Sequence, residues 1–216
     1  MSSAEVTEIM TETIENCPHG MADATVCPDC LEPALNKVNL ADVMRIPPEY
    51  ECARLSKVPA DIRSVVDQYV ASWPPPTPML WLGGGVGAGK TYTACAVLWA
   101  IYGRYRVVGR VWNASDITDA YRQASSPDYA GPWSAATLDA ALTQAPALVL
   151  DDFGAERATE FSTGKLYRVV DARYRERLPT IVTTNVDPGA IDPRIRSRLL
   201  SGIEVRFSGP DRRVRA

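Results

Sequence analysis

Hydrophobic and polar positions follow two rhythms along this chain. Met79 to Leu82, Val107 to Trp112, Ala147 to Leu150, Thr180 to Thr184 and Glu204 to Phe207 are short apolar or β-branched runs, which predict strands. Between them the spacing turns helical, most clearly over Thr91 to Tyr102 and Ser162 to Arg177. In the second of these, Leu166, Val169, Val170 and Tyr174 share one face. Strand–helix alternation predicts an α/β fold with a parallel sheet flanked by helices on both sides. Ahead of it, Asp61 to Trp73 places Ile62, Val65, Val66, Tyr69 and Val70 at helical spacing. Pro74-Pro75-Pro76-Thr77-Pro78 ends that helix and carries the chain, extended, toward the first strand. The pattern divides the chain into an acidic N-terminal module (1–45), a connector with one amphipathic helix (46–77) and an α/β domain (78–216).

Composition changes this picture in two ways. With 46% hydrophobic and 23% charged residues among 216, the chain has a soluble globular composition. Its longest apolar run, Ala94 to Tyr102, has nine residues, well short of the ~18 that a membrane span needs. The first sixteen residues hold four Glu and no Lys or Arg. That is unlike the basic start of a secretory signal and predicts a cytoplasmic protein. Charge is also uneven. Residues 1–45 hold eight acids and two bases, whereas thirteen bases and seven acids follow from Arg157 onward. A basic C-terminal half suits phosphate, as nucleotide or nucleic acid, and equally suits a solvated surface laced with salt bridges.

The candidate chemistry is densest at Gly84-Gly85-Val86-Gly87-Ala88-Gly89-Lys90-Thr91, which fits G-x-x-x-x-G-K-[ST] in full, with Tyr92 directly after it as a further nucleotide-binding candidate. It follows an apolar strand and opens a helical run, the context of a P-loop (Walker A). Glycines let backbone N–H groups turn inward around an anion, and the helix adds its positive end. Lys90 would hold the β- and γ-phosphates of ATP, and the Thr91 hydroxyl would ligate Mg²⁺. Downstream, Ala147 to Leu150 runs into Asp151-Asp152. Asp151 would hold Mg²⁺ together with Thr91, and Asp152 would act on the attacking water as general base or by positioning it. Read alone, the same pair is a helix cap. Thr180 to Thr184 ends in Asn185, at the edge of the sheet where α/β proteins bind ligands. Asn185 is therefore a candidate for the γ-phosphate or the attacking water. Arg194 and Arg198 are spaced to share one helical face. Their planar, permanently charged forks suit a γ-phosphate supplied by another subunit.

A second cluster lies near the N-terminus. Cys17-Pro18-His19 and Cys27-Pro28-Asp29-Cys30 gather three Cys and the chain's one His within fourteen positions. Cys₃His is an accepted tetrahedral Zn²⁺ set, and a short segment without a core of its own needs such a staple. A redox Cys-x-x-Cys remains the alternative, without the βαβ surroundings that usually carry it. Cys52 and Cys95 sit in apolar contexts and are expected to be buried packing residues. Tyr121 and Trp133, near Arg104, Arg106, Arg110 and Arg122, are candidates for stacking on nucleic-acid bases, with a core role the simpler reading.

Taken in order, the P-loop, Asp151-Asp152-Phe153-Gly154, Thr183-Thr184-Asn185 and Arg194-Ile195-Arg196-Ser197-Arg198-Leu199 resemble the AAA+ ATPases of the DnaC/IstB group. The resemblance extends over about residues 46–213 and is closest to replicative-helicase loaders of bacteria and phage. It implies a P-loop ATPase fold with a reduced or absent C-terminal lid, and Mg²⁺-dependent ATP hydrolysis at subunit interfaces. It implies a homo-oligomeric ring or spiral on single-stranded DNA, and a replicative helicase gripped by the N-terminal module. Residue by residue, it makes Asn185 sensor 1, Arg198 the arginine finger with Arg194 second, and Arg213 sensor 2 with Arg212 competing. Asp152 stands where many AAA+ enzymes carry Glu. An IstB-like transposition helper, acting on duplex DNA, is the alternative within the group.

Overall fold

A computed structural model describes residues 39–126, 128–155, 159–209 and 211–212. The proposed zinc ligands Cys17, His19, Cys27 and Cys30, together with Arg213, lie outside these residues.

A short helix, α1 (Leu40–Val43), is capped by the Asn39 side chain on the Ala41 N–H. Two 3₁₀ turns, Pro48–Tyr50 and Leu55–Lys57, lead to α2 (Ala60–Ala71). This is the predicted amphipathic helix. It buries Ile62, Val66, Tyr69 and Val70, while Val65 is half-buried. The α/β part runs β1 (Met79–Gly84), α3 (Lys90–Tyr105), β2 (Arg110–Asn113), α4 (Ala114–Ala124), α5 (Ala135–Thr143), β3 (Leu148–Asp151), α6 (Glu160–Arg175), β4 (Thr180–Thr184), α7 (Pro193–Leu199) and β5 (Ile203–Phe207). No helix among the described residues is long and apolar enough to cross a membrane.

The five strands form one sheet in the order β2-β3-β4-β1-β5, and every pairing is parallel. Side chains alternate across a strand, so the sheet builds two cores. Leu80, Leu82, Val149 and Ile181 face α2 and α3. Met79, Trp81, Leu148, Leu150 and Val182 face α4 to α7. Both faces are covered, which explains why β1, β3 and β4 read as continuous apolar runs rather than alternating ones. The outer edge of β2 is closed where the Val111 N–H donates to the Met44 carbonyl at 2.8 Å. An edge closed in this way is not open to further strand pairing.

Two sequence expectations fail here. Tyr174 was placed on the buried face of the helix now seen as α6, but it is 41% exposed, and Arg173 takes the interior position with 0% exposure. Cys52 is exposed, whereas Cys95 is buried as expected. Cys52 lies just past the Pro48–Tyr50 turn and faces outward, while its neighbour Ala53 takes the core position. Tyr121 is a core residue, and its hydroxyl donates to Asp139 at 3.1 Å. Trp133 packs edge-on against Trp112.

Candidate functional site

Parallel strands bring the predicted motifs to one edge of the sheet. Gly84 closes β1, Asp151 closes β3, and Asn185 follows directly on β4. The strand β4 lies between β1 and β3, so its last residues bridge the two motifs.

The loop between β1 and α3 requires glycine at two positions for different reasons. Gly84 has φ +146, and a Cβ there would lie 2.4 Å from the Phe207 carbonyl of β5. Gly87 has φ +68, and its missing Cβ leaves space that the Asp211 carboxylate fills. The loop carbonyl of Gly87 also accepts the Arg212 N–H at 3.0 Å. The residues after β5 therefore dock back onto the loop.

Lys90 opens α3 and is 5% exposed. Its Nζ donates to the Gly85 carbonyl at 2.6 Å and to Asn185 Oδ1 at 2.5 Å. Asn185 Nδ2 in turn donates to Asp152 Oδ1 at 3.1 Å. A second chain runs beside it. Thr91 Oγ1 donates to Asp151 Oδ1 at 2.9 Å, and Thr183 Oγ1 donates to the same oxygen at 2.6 Å. Thr183 Oγ1 also accepts the Asp152 N–H at 3.0 Å. Asp152 itself adopts φ +51, a left-handed conformation that Asp tolerates better than most residues and that clusters at functional sites.

Burial pushes the Asp151 carboxyl above its ordinary range, against the opposing hydrogen bonds from Thr183 and Thr91. The neighbouring Asp152 charge adds to the rise, and Lys90 counters it. Two adjacent carboxylates with a threonine hydroxyl, one of them buried, form an oxygen donor set that a divalent cation relieves. The site therefore fits Mg²⁺ on Thr91 and Asp151.

These groups open into a cavity of about 430 Å³. From the P-loop, Val86, Gly87, Gly89, Lys90, Thr91 and Tyr92 line it, together with Asp152 and Asn185. Gly84, Gly85 and Ala88 of the same loop are not in the lining. The far wall is Tyr50, Val58 and Pro59 from the connector, with Tyr50 set edge-on to Tyr92 at 6.3 Å. Arg212 completes the lining. Arg212, one of the two candidates for the sensor 2 position, thus stands in the cavity wall.

Arg194 and Arg198 lie elsewhere. Both belong to α7 and neither lines the cavity of its own chain. Arg194 pairs with Asp192 at 3.1 Å and is 63% exposed, whereas Arg198 pairs with Asp171 at 2.6 Å and is 25% exposed. Among the described residues, no group of three or more His, Cys, Asp or Glu stands ready to hold a metal.

Sequence reasoning missed Thr183, whose hydroxyl ties Asp151 to the Asp152 N–H. A hydroxyl inside a β-branched strand reads as ordinary strand chemistry. Only the β3–β4 pairing, with Leu150 opposite Val182, places it against Asp151. It also missed Tyr50, Val58 and Pro59 as cavity walls.

No family model matches the chain, and no curated protein matches it in sequence. Solved structures do resemble it. A DnaC helicase loader structure aligns with a TM-score of 0.67 at 20% identity, over 75% of this chain and 100% of that one. A DnaI structure aligns at 0.61 with 25% identity, over 77% and 94%. In fold this chain matches AAA+ P-loop NTPases and is similar to DnaC and DnaI. AMPPCP-bound DnaA from Aquifex aeolicus aligns at 0.62 with 19% identity, and this chain covers 51% of it. The resemblance to DnaC-type loaders read from the motif order thus holds in three dimensions.

Proposed function

We propose that this protein is an ATPase that assembles on single-stranded DNA and loads a replicative helicase in DNA replication. The convergence of two hydrogen-bonded chains, Lys90–Asn185–Asp152 and Thr91–Asp151–Thr183, on one cavity carries the ATPase part. The cavity suits ATP. Tyr50, Val58, Pro59 and Tyr92 offer an apolar and aromatic wall for the base, and the P-loop N–H groups and Lys90 face the phosphates. Mg²⁺ held by Thr91 and Asp151 would neutralise charge across the β- and γ-phosphates. Asp152 takes the proton of the attacking water or orients it, and Asn185, already bonded to both Lys90 and Asp152, fixes that carboxylate beside the γ-phosphate. Arg212 reaches toward the phosphates from the wall, with Arg213 next in the chain.

Arg198, with Arg194 as the second candidate, serves the site of a neighbouring subunit in a ring or spiral. Their distance from their own cavity supports that reading. The similar structures support the place in replication: DnaC is a helicase loader, and one DnaA structure is bound to AMPPCP and single-stranded DNA. In the N-terminal module, Cys17, His19, Cys27 and Cys30 bind structural Zn²⁺, and the module grips the helicase.

The test is ATP turnover by the full chain with and without single-stranded DNA, against Asp152→Asn. Stimulation by the single strand that is lost in the variant, with ATP affinity kept, supports the loader. Turnover raised by duplex DNA alone turns the reading to an IstB-like transposition helper. Metal analysis of the purified chain should find one zinc, and Cys27→Ser should lose it.

A further inference from the structure

The proposed finger Arg198 is held by a specific network on α6, and we infer that Asp171 and Tyr167 are its positioning residues. This rests on the reading of Arg198 as the residue that reaches a neighbour's γ-phosphate. Arg198 Nε donates to Asp171 Oδ1 at 2.8 Å, and Nη2 lies 2.6 Å from the same oxygen. Nη2 also donates to the Tyr167 hydroxyl at 3.1 Å, and Nη1 donates to the Arg194 carbonyl one turn back at 2.8 Å. The guanidinium stands 4.9 Å from the Tyr167 ring and 5.8 Å from that of Tyr174. Asp171 keeps a second cation, Arg175, on its other oxygen at 3.1 Å.

An arginine side chain on a surface helix samples many rotamers, and fixing one costs up to ~2 kcal/mol of entropy. Here that cost is met inside the chain before any neighbour arrives. The Nε edge is spent on α6, while the side chain remains a quarter exposed. A preset donor is what transition-state contact requires, because reorganisation at the moment of reaction is avoided. Asp171 and Tyr167 sit one helical turn apart on the face of α6 turned to α7. Arg194 also stands 4.9 Å from the Tyr167 ring, but its guanidinium hydrogen bonds go to Asp192 at the start of its own helix, with none to α6 among the described residues.

The test separates finger from brace by mixing subunits. Arg198→Ala subunits keep an intact ATP site but supply no finger. Lys90→Ala subunits supply the finger but lack a working site. Their mixture should regain turnover. Donors carrying Lys90→Ala together with Asp171→Asn should then restore at least ~10-fold less, with kcat reduced and KM for ATP unchanged, since misplacing a reacting contact by ~1 Å can cost ~100-fold. Lys90→Ala with Tyr167→Phe should show a smaller loss, and Asp171→Glu should recover part of the activity. Because the donor's own site is dead, its defect reports only on the finger. A melting curve of each donor checks that it remains folded. Full restoration by folded Asp171→Asn donors overturns the positioning role. No restoration by the simple Lys90→Ala donor means that Arg198 does not act across subunits, and the proposal falls with that reading.

Discussion

Lys90 and Arg173 are both buried cations, at opposite ends of the same sheet, and their partners differ in kind. Arg173, on α6 beside the start of β4, is 0% exposed. Its Nε donates to Thr180 Oγ1, and its two terminal nitrogens donate to the Leu142, Ala145 and Pro179 carbonyls at 2.7 to 2.9 Å. These acceptors are fixed by the ends of α5, β3 and β4. Burial pushes its guanidinium well below the usual arginine range. Lys90, at the opposite edge, holds a loop carbonyl and the movable amide of Asn185, and it faces an open cavity. A cation bonded to neutral backbone in a closed space ties segments together. A cation bonded to an exchangeable side chain in an open one is ready to change partners when an anion enters. The same charge serves stability at one end of the sheet and ligand binding at the other.

The largest expected effect tests the stability end. Arg173→Leu removes the donor to the Leu142 and Ala145 carbonyls and to Thr180 Oγ1, each lost partner costing ~1–3 kcal/mol, while the Pro179 carbonyl keeps the Leu148 N–H. A loss of ~3–5 kcal/mol is expected, lowering the melting temperature by roughly 6–20 °C in a chain of this size. Arg173→Lys should recover little, because one ammonium cannot span the four acceptors. Lys90→Ala is the matched substitution at the other end. It should abolish measurable ATP binding, read by fluorescent-nucleotide titration, yet move the melting temperature by no more than ~2 °C. If the two variants melt alike, the division between the ends of the sheet is wrong.

A smaller effect is expected at Thr183, where the two functions meet. Thr183→Val keeps the shape but removes the hydroxyl that bridges Asp151 and the Asp152 N–H. Stability should fall by ~1–2 kcal/mol in a urea titration. Turnover should fall more than ATP affinity, because both carboxylates lose their common anchor. Equal losses in affinity and turnover would place Thr183 with the structural end.

The sequence made these two regions unequally legible. The P-loop is local: one strand, one glycine pattern and one helix start lie within a dozen residues, and all were readable. Asp151, Asp152 and Asn185 were readable as strand ends, because parallel strands deliver their last residues to one edge. Thr183 was not, since its role depends on which strand lies beside which. Arg173 was misjudged for a related reason. Periodicity counts apolar residues, so it buried Tyr174; it cannot see that three carbonyls from distant segments would satisfy a guanidinium. Ala114, Ile117 and Tyr121 carry a helical spacing in α4 that the strand–helix reading left unused, α5 carries a weaker one, and the connector's contribution to the cavity through Tyr50, Val58 and Pro59 required the fold.

The smallest effect sharpens the comparison with an arginine that is charged but not buried. Arg168 is 66% exposed and grips Asp139 through Nε at 2.7 Å and Nη2 at 2.8 Å, while the Tyr121 hydroxyl donates to the same carboxylate. The Arg168 hydrogen bonds hold the Asp139 carboxyl below its ordinary value of 3.8, with burial opposing and Tyr121 assisting. A carboxylate whose folded value is depressed binds fewer protons in the folded chain than in the unfolded one. Its contribution is therefore complete above pH 3.8 and is lost as pH falls from there through the folded value. Solvent screening of so exposed an arginine limits the pair to ~0.2–1 kcal/mol. The stability gap between the native chain and Asp139→Asn should thus be small and flat from neutral pH down to about 4, and should close below it. Salt should narrow the same gap at pH 7. The defect of Arg173→Leu should respond to neither, because the interactions it removes are with neutral oxygens in a closed interior. A salt-sensitive Arg173 defect would mean that water reaches the lower end of the sheet, and that the two buried cations differ in degree rather than in kind.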